Sequence, residues 1–493
     1  MREALGSVLG QAQVRVDVTV VDDSPEGSAE AAVADLNDPR VTYLRNPAPS
    51  GGRPGLVRNL GWPKGSGALV HFLDDDGLVP AGHYEVQGRL GSPRLLRVED
   101  PGSHRPQDPV TLRVERIISV RGLESLRPEW EGLDADLSPR LPFRSPLWNT
   151  FWCEHLREHR ALVRDSLCVH AVRDAGGKLI AVAPMVVTHR PSMGPFQVRV
   201  LQFLGLDPNI TELRGLVCRP EDDGAVFDAL YRHFVSRDGD WDWLRWGGVR
   251  QGGAIEKGLS AAGALKQTEI PVLTLPLPST WGEFKGKLSR NIKESLRKCY
   301  NSLKRDGHEF VFRAVERPDE ARPAIMLFFK LHAKRSHATG PIVHNDVFRA
   351  PRAKAFLLDY AEAMAERGLL RVFQLEIAGV VVATRIGFVF GSELYLYYSG
   401  YEPDWGKYSV MTTVVAESIR YAIENGFKLV CLSTGRDVSK TRWSPHEDLF
   451  LDYVLVSPRL RGRVAFQAYS EVLRQSEPGK PVGKFLQLAR RAW

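Results

Sequence analysis

"LLRVFQLEIAGVVVATRIGFVFGSELYLYYSGYEP", residues 369–403, decides how most of this chain folds. β-Branched and aromatic residues fill three stretches of it, and Gly379 and Gly391 interrupt them. Those side chains fit a pleated surface, and glycine supplies the positive φ of a tight hairpin turn. The pattern predicts three strands joined by two turns. Upstream, "PVLTLPLP" (271–278) is a strand and "TWGEFKGKLSRNIKESLRKCYNSLKRDG" (280–307) a single long helix that stops at Gly307. "HEFVFRAV" (308–315) follows as a strand and "EARPAIMLFFKLHAKRS" (320–336) as a helix. Downstream, "SVMTTVVAESIRYAIENG" (409–426) is a helix closed by Gly426, and "KLVCLSTGR" (428–436) a strand.

Before this block lies another of mixed α/β pattern. "LRVERIIS" (112–119) is a strand, "GLESLRPEWEGLDADL" (122–137) and "SPLWNTFWCEHLREH" (145–159) are helices, and "LCVHAVRDAGGKLIAVAPMVVTH" (167–189) is a hairpin. Residues 91–109 are rich in Pro, Gly and charge, and are expected to be a linker. The first ninety residues carry two apolar strands, each running into aspartates: "VRVDVTVVDDSPEG" (14–27) and "ALVHFLDDDG" (68–77). Ligands of open α/β sheets collect at the carboxyl ends of strands, and such oxygen ligands suit Mg²⁺ or Mn²⁺.

At 493 residues the chain has room for several domains. Its 43% apolar and 25% charged residues are those of a soluble globular protein. No apolar run is long enough to span a membrane, and the start lacks a secretory signal. Five scattered cysteines argue against a disulfide framework or a zinc site, so the expected location is cytoplasmic. The net charge of +7 is local. Residues 281–305 carry eight Lys or Arg against two Glu, and residues 457–493 the same, which leaves −5 for the rest. Charge concentrated in this way points to anionic ligands at particular places.

Residues 4–85, through "SVLGQ", "VVDDS", "GGRPGLVRNLG" and "FLDDDGLVP", resemble the family 2 glycosyltransferases of the GT-A fold. The resemblance implies that Asp22 and Asp23 face a nucleoside and that Asp74 and Asp76 hold the metal. An opening "VSVIIPTYN"-type strand and the acceptor half are both lacking, so a truncated nucleotide-binding half without turnover is expected. Residues 110–455 resemble the tandem GNAT acyltransferases of the BioF-type, Fem-like and CelD-like branch, through "SRNIKESLRKCYNSLKRDG", "ATRIGFVFGSELYLYYSGYEP" and "GFKLVCLSTGRDVSKTRWSP". The expected fold is therefore α/β (α+β). Two GNAT-like lobes of mixed, mostly antiparallel sheet, 110–270 and 271–493, would follow a partial GT-A Rossmann-like half-domain at 1–90.

In that branch a Gly-x-x-x-x-Lys-x-x-Trp pattern is matched by Gly435, Lys440 and Trp443, with Arg436, Asp437 and Arg442 clustered around the lysine. A lysine at a strand end can hold an anion or stabilise the oxyanion of acyl transfer. Relatives often carry an acidic residue where Ser433 stands, and Asp437 is the substitute acid/base. In GNAT folds the helix after "YYSGYEP" receives the coenzyme diphosphate on its first amides, which favour anions. Here that helix starts near Tyr408 and Ser409, with Ser409 as N-cap and Val410 and Met411 in place of the usual glycines. Arg290, Lys293 and Arg297 of the basic helix, with Tyr398, are the expected substrate-binding residues. His332, His337 and His344 lack ligand spacing and belong to a substrate loop or the surface.

The reaction so implied moves an acyl or aminoacyl group from acetyl-CoA, another acyl-CoA or aminoacyl-tRNA to an amine or hydroxyl. The acceptor is a small molecule or a cell-envelope or polysaccharide precursor. The competing reading is a metal-dependent glycosyltransferase that uses a nucleotide-sugar. The acyl donor, the acceptor and the oligomeric state are not legible in the sequence.

Overall fold

The computed structural model describes residues 1–11, 16–49, a few single positions between 57 and 79, 112–194, 197–337 and 344–475. The chain divides into two compact units, Met1–Pro106 and Gln107–Trp493. In the first, the strands Val18–Asp22 and Val41–Arg45 pair in parallel, Val18 opposite Val41 and Asp22 opposite Arg45. The helix Glu30–Leu36 connects them, and the helix Arg2–Leu9 precedes them. Parallel strands need such a crossover, so this is a βαβ unit with Asp22 at the carboxyl end of its first strand.

The second unit repeats one order of elements. Each half runs strand, two helices, then strands built from hairpins, a helix and a further strand. In the first half these include the strand Arg113–Ile117, the helices Val120–Ala135 and Pro146–His155, the strand Val198–Phe203, the helix Asp223–Ser236 and the strand Trp243–Arg250. In the second they include the strand Phe310–Val315, the helices Pro318–His337 and Pro351–Glu366, the strands Leu370–Ile377, Val380–Phe390 and Glu393–Tyr401, the helix Val410–Glu424 and the strand Leu429–Thr434. In both halves the strand after the last helix pairs in parallel with the strand before it: Trp243–Arg245 with Val200–Gln202, and Leu429–Cys431 with Glu393–Tyr395.

The long strands Leu265–Pro276 and His446–Val456 join the halves into one mixed twelve-stranded sheet. Leu265–Pro276 passes through the expected lobe boundary at 270/271. The 167–189 hairpin is longer than expected and bends between two sheets. Val169–Arg173 pairs with Leu179–Ala183 in a separate four-stranded sheet, while Val163–Leu167 pairs with Met185–Arg190 in the large one.

The meander forms as its glycines dictate. Ile377 pairs with Val380 across Ala378 (φ 51°) and Gly379 (φ 78°), a two-residue turn whose residues both have positive φ. The basic helix differs from expectation, because it is two helices, Trp281–Lys287 and Arg290–Arg305. Leu288 and Ser289 between them are extended, which lets Leu288 be buried and starts a new helix at Ser289. Ile292, Leu296, Cys299 and Leu303 form the buried stripe of the longer one.

Candidate active site

The parallel strands Glu393–Tyr401 and Leu429–Thr434 stay paired only as far as Tyr395 and Cys431, then part. Glu212 bridges them beyond that point. Ser433 Oγ donates to one of its carboxylate oxygens at 2.7 Å, and the Tyr395 hydroxyl donates to the other. Glu212 comes from the loop after the strand Val198–Phe203, in the first half of the unit, and this loop is tightly built. Asp207 accepts from the Ile210 and Thr211 amides (2.6 and 2.9 Å), from Thr211 Oγ1 (2.7 Å) and from Trp152 Nε1 (2.9 Å). The Tyr397 and Tyr398 hydroxyls donate to the Ile210 and Asn209 carbonyls at 2.5 and 2.7 Å. Three tyrosines of one strand thus fix the loop that carries Glu212.

The lysine turn faces the same opening. Gly435 has φ 93°, a conformation other residues rarely adopt. Ser433 is also held at positive φ (74°) while almost wholly buried, a strained backbone of the kind that clusters at functional sites. Lys440 folds back so that Nζ donates to the Thr434 carbonyl and lies 3.2 Å from Asp437 Oδ2. Trp443 is buried, donates to the Ser439 carbonyl at 3.0 Å and anchors the turn in the core. Arg436 points away and pairs with Glu447, its Nε 3.0 Å from both carboxylate oxygens.

The two carboxylates of this opening differ in basicity. Burial pushes Glu212 above the ordinary carboxylate range, against the opposing pull of Lys440, Tyr395, Ser433 and Arg385. Burial also pushes Asp437 up, but Lys440, Ser439 and Arg385 outweigh it and leave the group below its usual value. Glu212 is thus the better base near neutral pH. "NITEL" (209–213) shows nothing that singles it out in sequence. The one signal was the serine at 433 where relatives often carry an acid, and the carboxylate found there belongs to Glu212.

A second group lies at the start of the helix Val410–Glu424. Ser409 holds the N-cap position with φ 55°, and its side chain makes no capping hydrogen bond. Arg442 reaches the first turn, donating to Thr412 Oγ1 at 3.2 Å and to Ser295 Oγ of the basic helix at 2.8 Å. Among the described residues it has no carboxylate partner within 4.0 Å. A guanidinium held only by hydroxyls beside a helix N-terminus suits a diphosphate. Tyr408 is buried and donates to Asp306 at 3.0 Å, tying this turn to the end of the basic helix. Arg290 pairs with Glu294 (2.7 Å), Lys293 donates to the Gly286 carbonyl (2.7 Å), and Arg297 is exposed. None of these three makes a hydrogen bond or ion pair with the Lys440 turn. Arg459 and Arg461 of the basic tail are engaged by Asp238 (2.7 Å) and Asp242 (3.3 Å).

In the first unit Asp22 accepts four hydrogen bonds: Ser24 N (2.9 Å) and Oγ (2.7 Å), Ala29 N (2.7 Å) and the Tyr43 hydroxyl (3.0 Å). Its carboxyl is lowered to about 2, these bonds outweighing partial burial. Asp74 and Asp76 lie outside the described residues.

Residues 290–441 match the family described as acetyltransferase (GNAT) domain, and residues 1–87 match glycosyl transferase family 2. No curated protein matches. Among solved structures, FemX aligns with a TM-score of 0.46 at 11% identity, over 68% of this chain and 96% of its own. The C-terminal domain of a putative lysylphosphatidylglycerol synthetase from Agrobacterium fabrum aligns with a TM-score of 0.40 at 11% identity, over 71% and 96%. A tandem GNAT protein from the clavulanic acid biosynthesis pathway does so with a TM-score of 0.38 at 12% identity, over 70% and 99%. Likenesses this distant do not speak for donor or acceptor. Over residues 290–441 the chain is similar to the GNAT acetyltransferases, and over residues 1–87 to the family 2 glycosyltransferases.

Proposed function

We propose that the second unit transfers an acyl or aminoacyl group to an amine or hydroxyl at the opening between Tyr395 and Ser433. The observation that carries this reading is the convergence there of Glu212, held by both parting strands, with Lys440 and Asp437. The acceptor attacks the donor carbonyl directly while Glu212 takes its proton; the donor's thioester or ester bond then breaks, and the released thiol or hydroxyl carries a proton away. Lys440 offers positive charge to the oxygen that becomes negative, and Asp437 holds the lysine in place. Arg442 and the first turn of Val410–Glu424 hold the diphosphate of an acyl-CoA, which supplies the activated acyl group when bound. A charged tRNA would use the same carbonyl chemistry, with the exposed basic helix against its backbone. No described helix is long and apolar enough to cross a membrane. The cysteines are unpaired, and a cytosolic setting agrees with that.

The match of residues 1–87 supports a second reading, sugar transfer through Asp74 and Asp76 with Mg²⁺ or Mn²⁺. Two variants separate them. Lys440→Ala should lower acyl transfer from acetyl-CoA by about 10²–10³-fold, the cost of one lost oxyanion contact, while Asp74→Asn with Asp76→Asn leaves it unchanged. The reverse pattern, measured as sugar transfer from a nucleotide-sugar, would place the chemistry in the first unit.

A further inference from the structure

Beside the opening lie a buried and a half-buried guanidinium group, neither in an ion pair among the described residues. Arg385, on the strand Val380–Phe390, is 7% exposed and sits directly across from Ser399 on the neighbouring strand. Its one hydrogen bond is a long one, 3.4 Å, to the Leu396 carbonyl, and Nε has no partner. Arg335, near the end of the helix Pro318–His337, donates to Ser399 Oγ at 2.7 Å from the other side, and its Nε is also unpartnered. It also makes a long contact, 3.4 Å, with the Ser399 carbonyl and lies 3.2 Å from Nε2 of the His344 ring. Among the described residues neither arginine has a carboxylate within 4.0 Å.

Asp437 attracts both arginines and Glu212 attracts Arg385, but neither carboxylate comes within ion-pair distance of either guanidinium. Lys440 is paired with Asp437, and Glu212 is satisfied by two hydroxyls and lifted by burial. His332 and His344 are held below their ordinary value by burial and by Arg335, so they stay neutral and offer no anion. Burial and the charge of Arg335 pull Arg385 down to about 10, so it remains a cation at neutral pH. A buried cation is ordinarily paired, since leaving it alone costs several kcal/mol or more. Arg335 is partly exposed, which leaves a way in from solvent.

Resting on the acyl-transfer reading, we propose that Arg335 and Arg385 bind an oxyanion, a carboxylate or a phosphate, carried by the acceptor, and that this anion seats it beside Glu212 and Lys440. The class of acceptor is then an amine or hydroxyl compound that also bears such a group, as an amino acid or a phosphorylated sugar does. Arginine suits this task because its planar fork meets two oxygens of one anion.

The test is a thermal-shift titration of the full chain with succinate, with inorganic phosphate and with chloride at constant ionic strength, repeated on Arg385→Met and Arg335→Met. A parallel titration with acetyl-CoA runs on the same samples. At least one oxyanion should raise the wild-type midpoint saturably above chloride. Its apparent affinity should fall tenfold or more in both variants, and whichever probe binds names the group. Arg385→Met, which removes an unpaired buried charge, should be folded with an unliganded midpoint at or above wild type. No saturable oxyanion effect, or an equal effect in both variants, overturns the proposal. If acetyl-CoA fails to bind while the oxyanion response stands, acetyl-CoA is excluded as the donor, the charged-tRNA form of the reading takes its place, and the arginine site survives the change.

Discussion

Glu212 and Asp437 are carboxylates at one opening, and their surroundings drive them apart. Pairs of this kind mark which group works as a base and which holds charge. Glu212 has its pKa raised, so its basic form fills as pH rises through that raised value, and the rate should climb over the same interval. Glu212→Gln should remove this acid limb from kcat/KM and cost about 10²–10⁴-fold. The thermal midpoint should hold or rise, because the amide keeps the Ser433 and Tyr395 contacts without a buried charge. An unchanged pH profile in the variant would exclude Glu212 as the base. The lysine turn was legible in the sequence because Gly435, Lys440 and Trp443 act within nine residues of one another. Glu212 was not, since it meets Ser433 across 221 positions and only the tertiary fold brings them together. Arg385 was hidden in a different way: on a strand pattern it is the one charged residue among mostly apolar ones, and its burial is set by the helix packed above.

At the scale of elements, the strand Glu393–Tyr401 has to lie close under the helix Pro318–His337, because it carries both the tyrosines and Ser399. Gly400 makes that approach possible. A Cβ there would come within 2.4 Å of the His332 amide and 2.6 Å of the Leu331 carbonyl carbon, both backbone atoms that cannot swing aside. Gly400→Ala should therefore destabilise the unit by about 1–3 kcal/mol through overpacking. Gly132, inside the helix Val120–Ala135, has nothing within 4 Å of the same added carbon. Gly132→Ala should stabilise by roughly 0.5–1 kcal/mol, the helix penalty of glycine. Urea midpoints of the pair read opposite signs from one chemical change, and a Gly400→Ala midpoint at or above wild type would mean the helix and strand are less closely packed. The strands and hairpins here were legible from turn glycines and alternation, which are local. The break at Leu288 and Ser289 was not, because continuous helical periodicity hides a stop that burial of Leu288 imposes.

For the whole molecule, the large sheet and the two hydrophobic faces it divides are enough to make the second unit a folding unit. Among the described residues its four buried clusters draw on positions between 123 and 455. The repeated order of elements adds that each half alone would leave a sheet edge open, whereas Leu265–Pro276 and His446–Val456 close the two edges on each other. The halves should therefore unfold together, and without help from the first unit. A fragment of residues 107–493 should express as a folded protein, melt in one cooperative transition within a few degrees of the second unit's transition in the full chain, and show the same acetyl-CoA response. Its near-ultraviolet circular dichroism should retain the signal of the tryptophans buried in its core, among them Trp130, Trp148, Trp152 and Trp246. Two separate transitions in the fragment would show that the shared sheet does not couple the halves. Loss of the aromatic signal would show that the first unit supplies packing that these clusters do not contain.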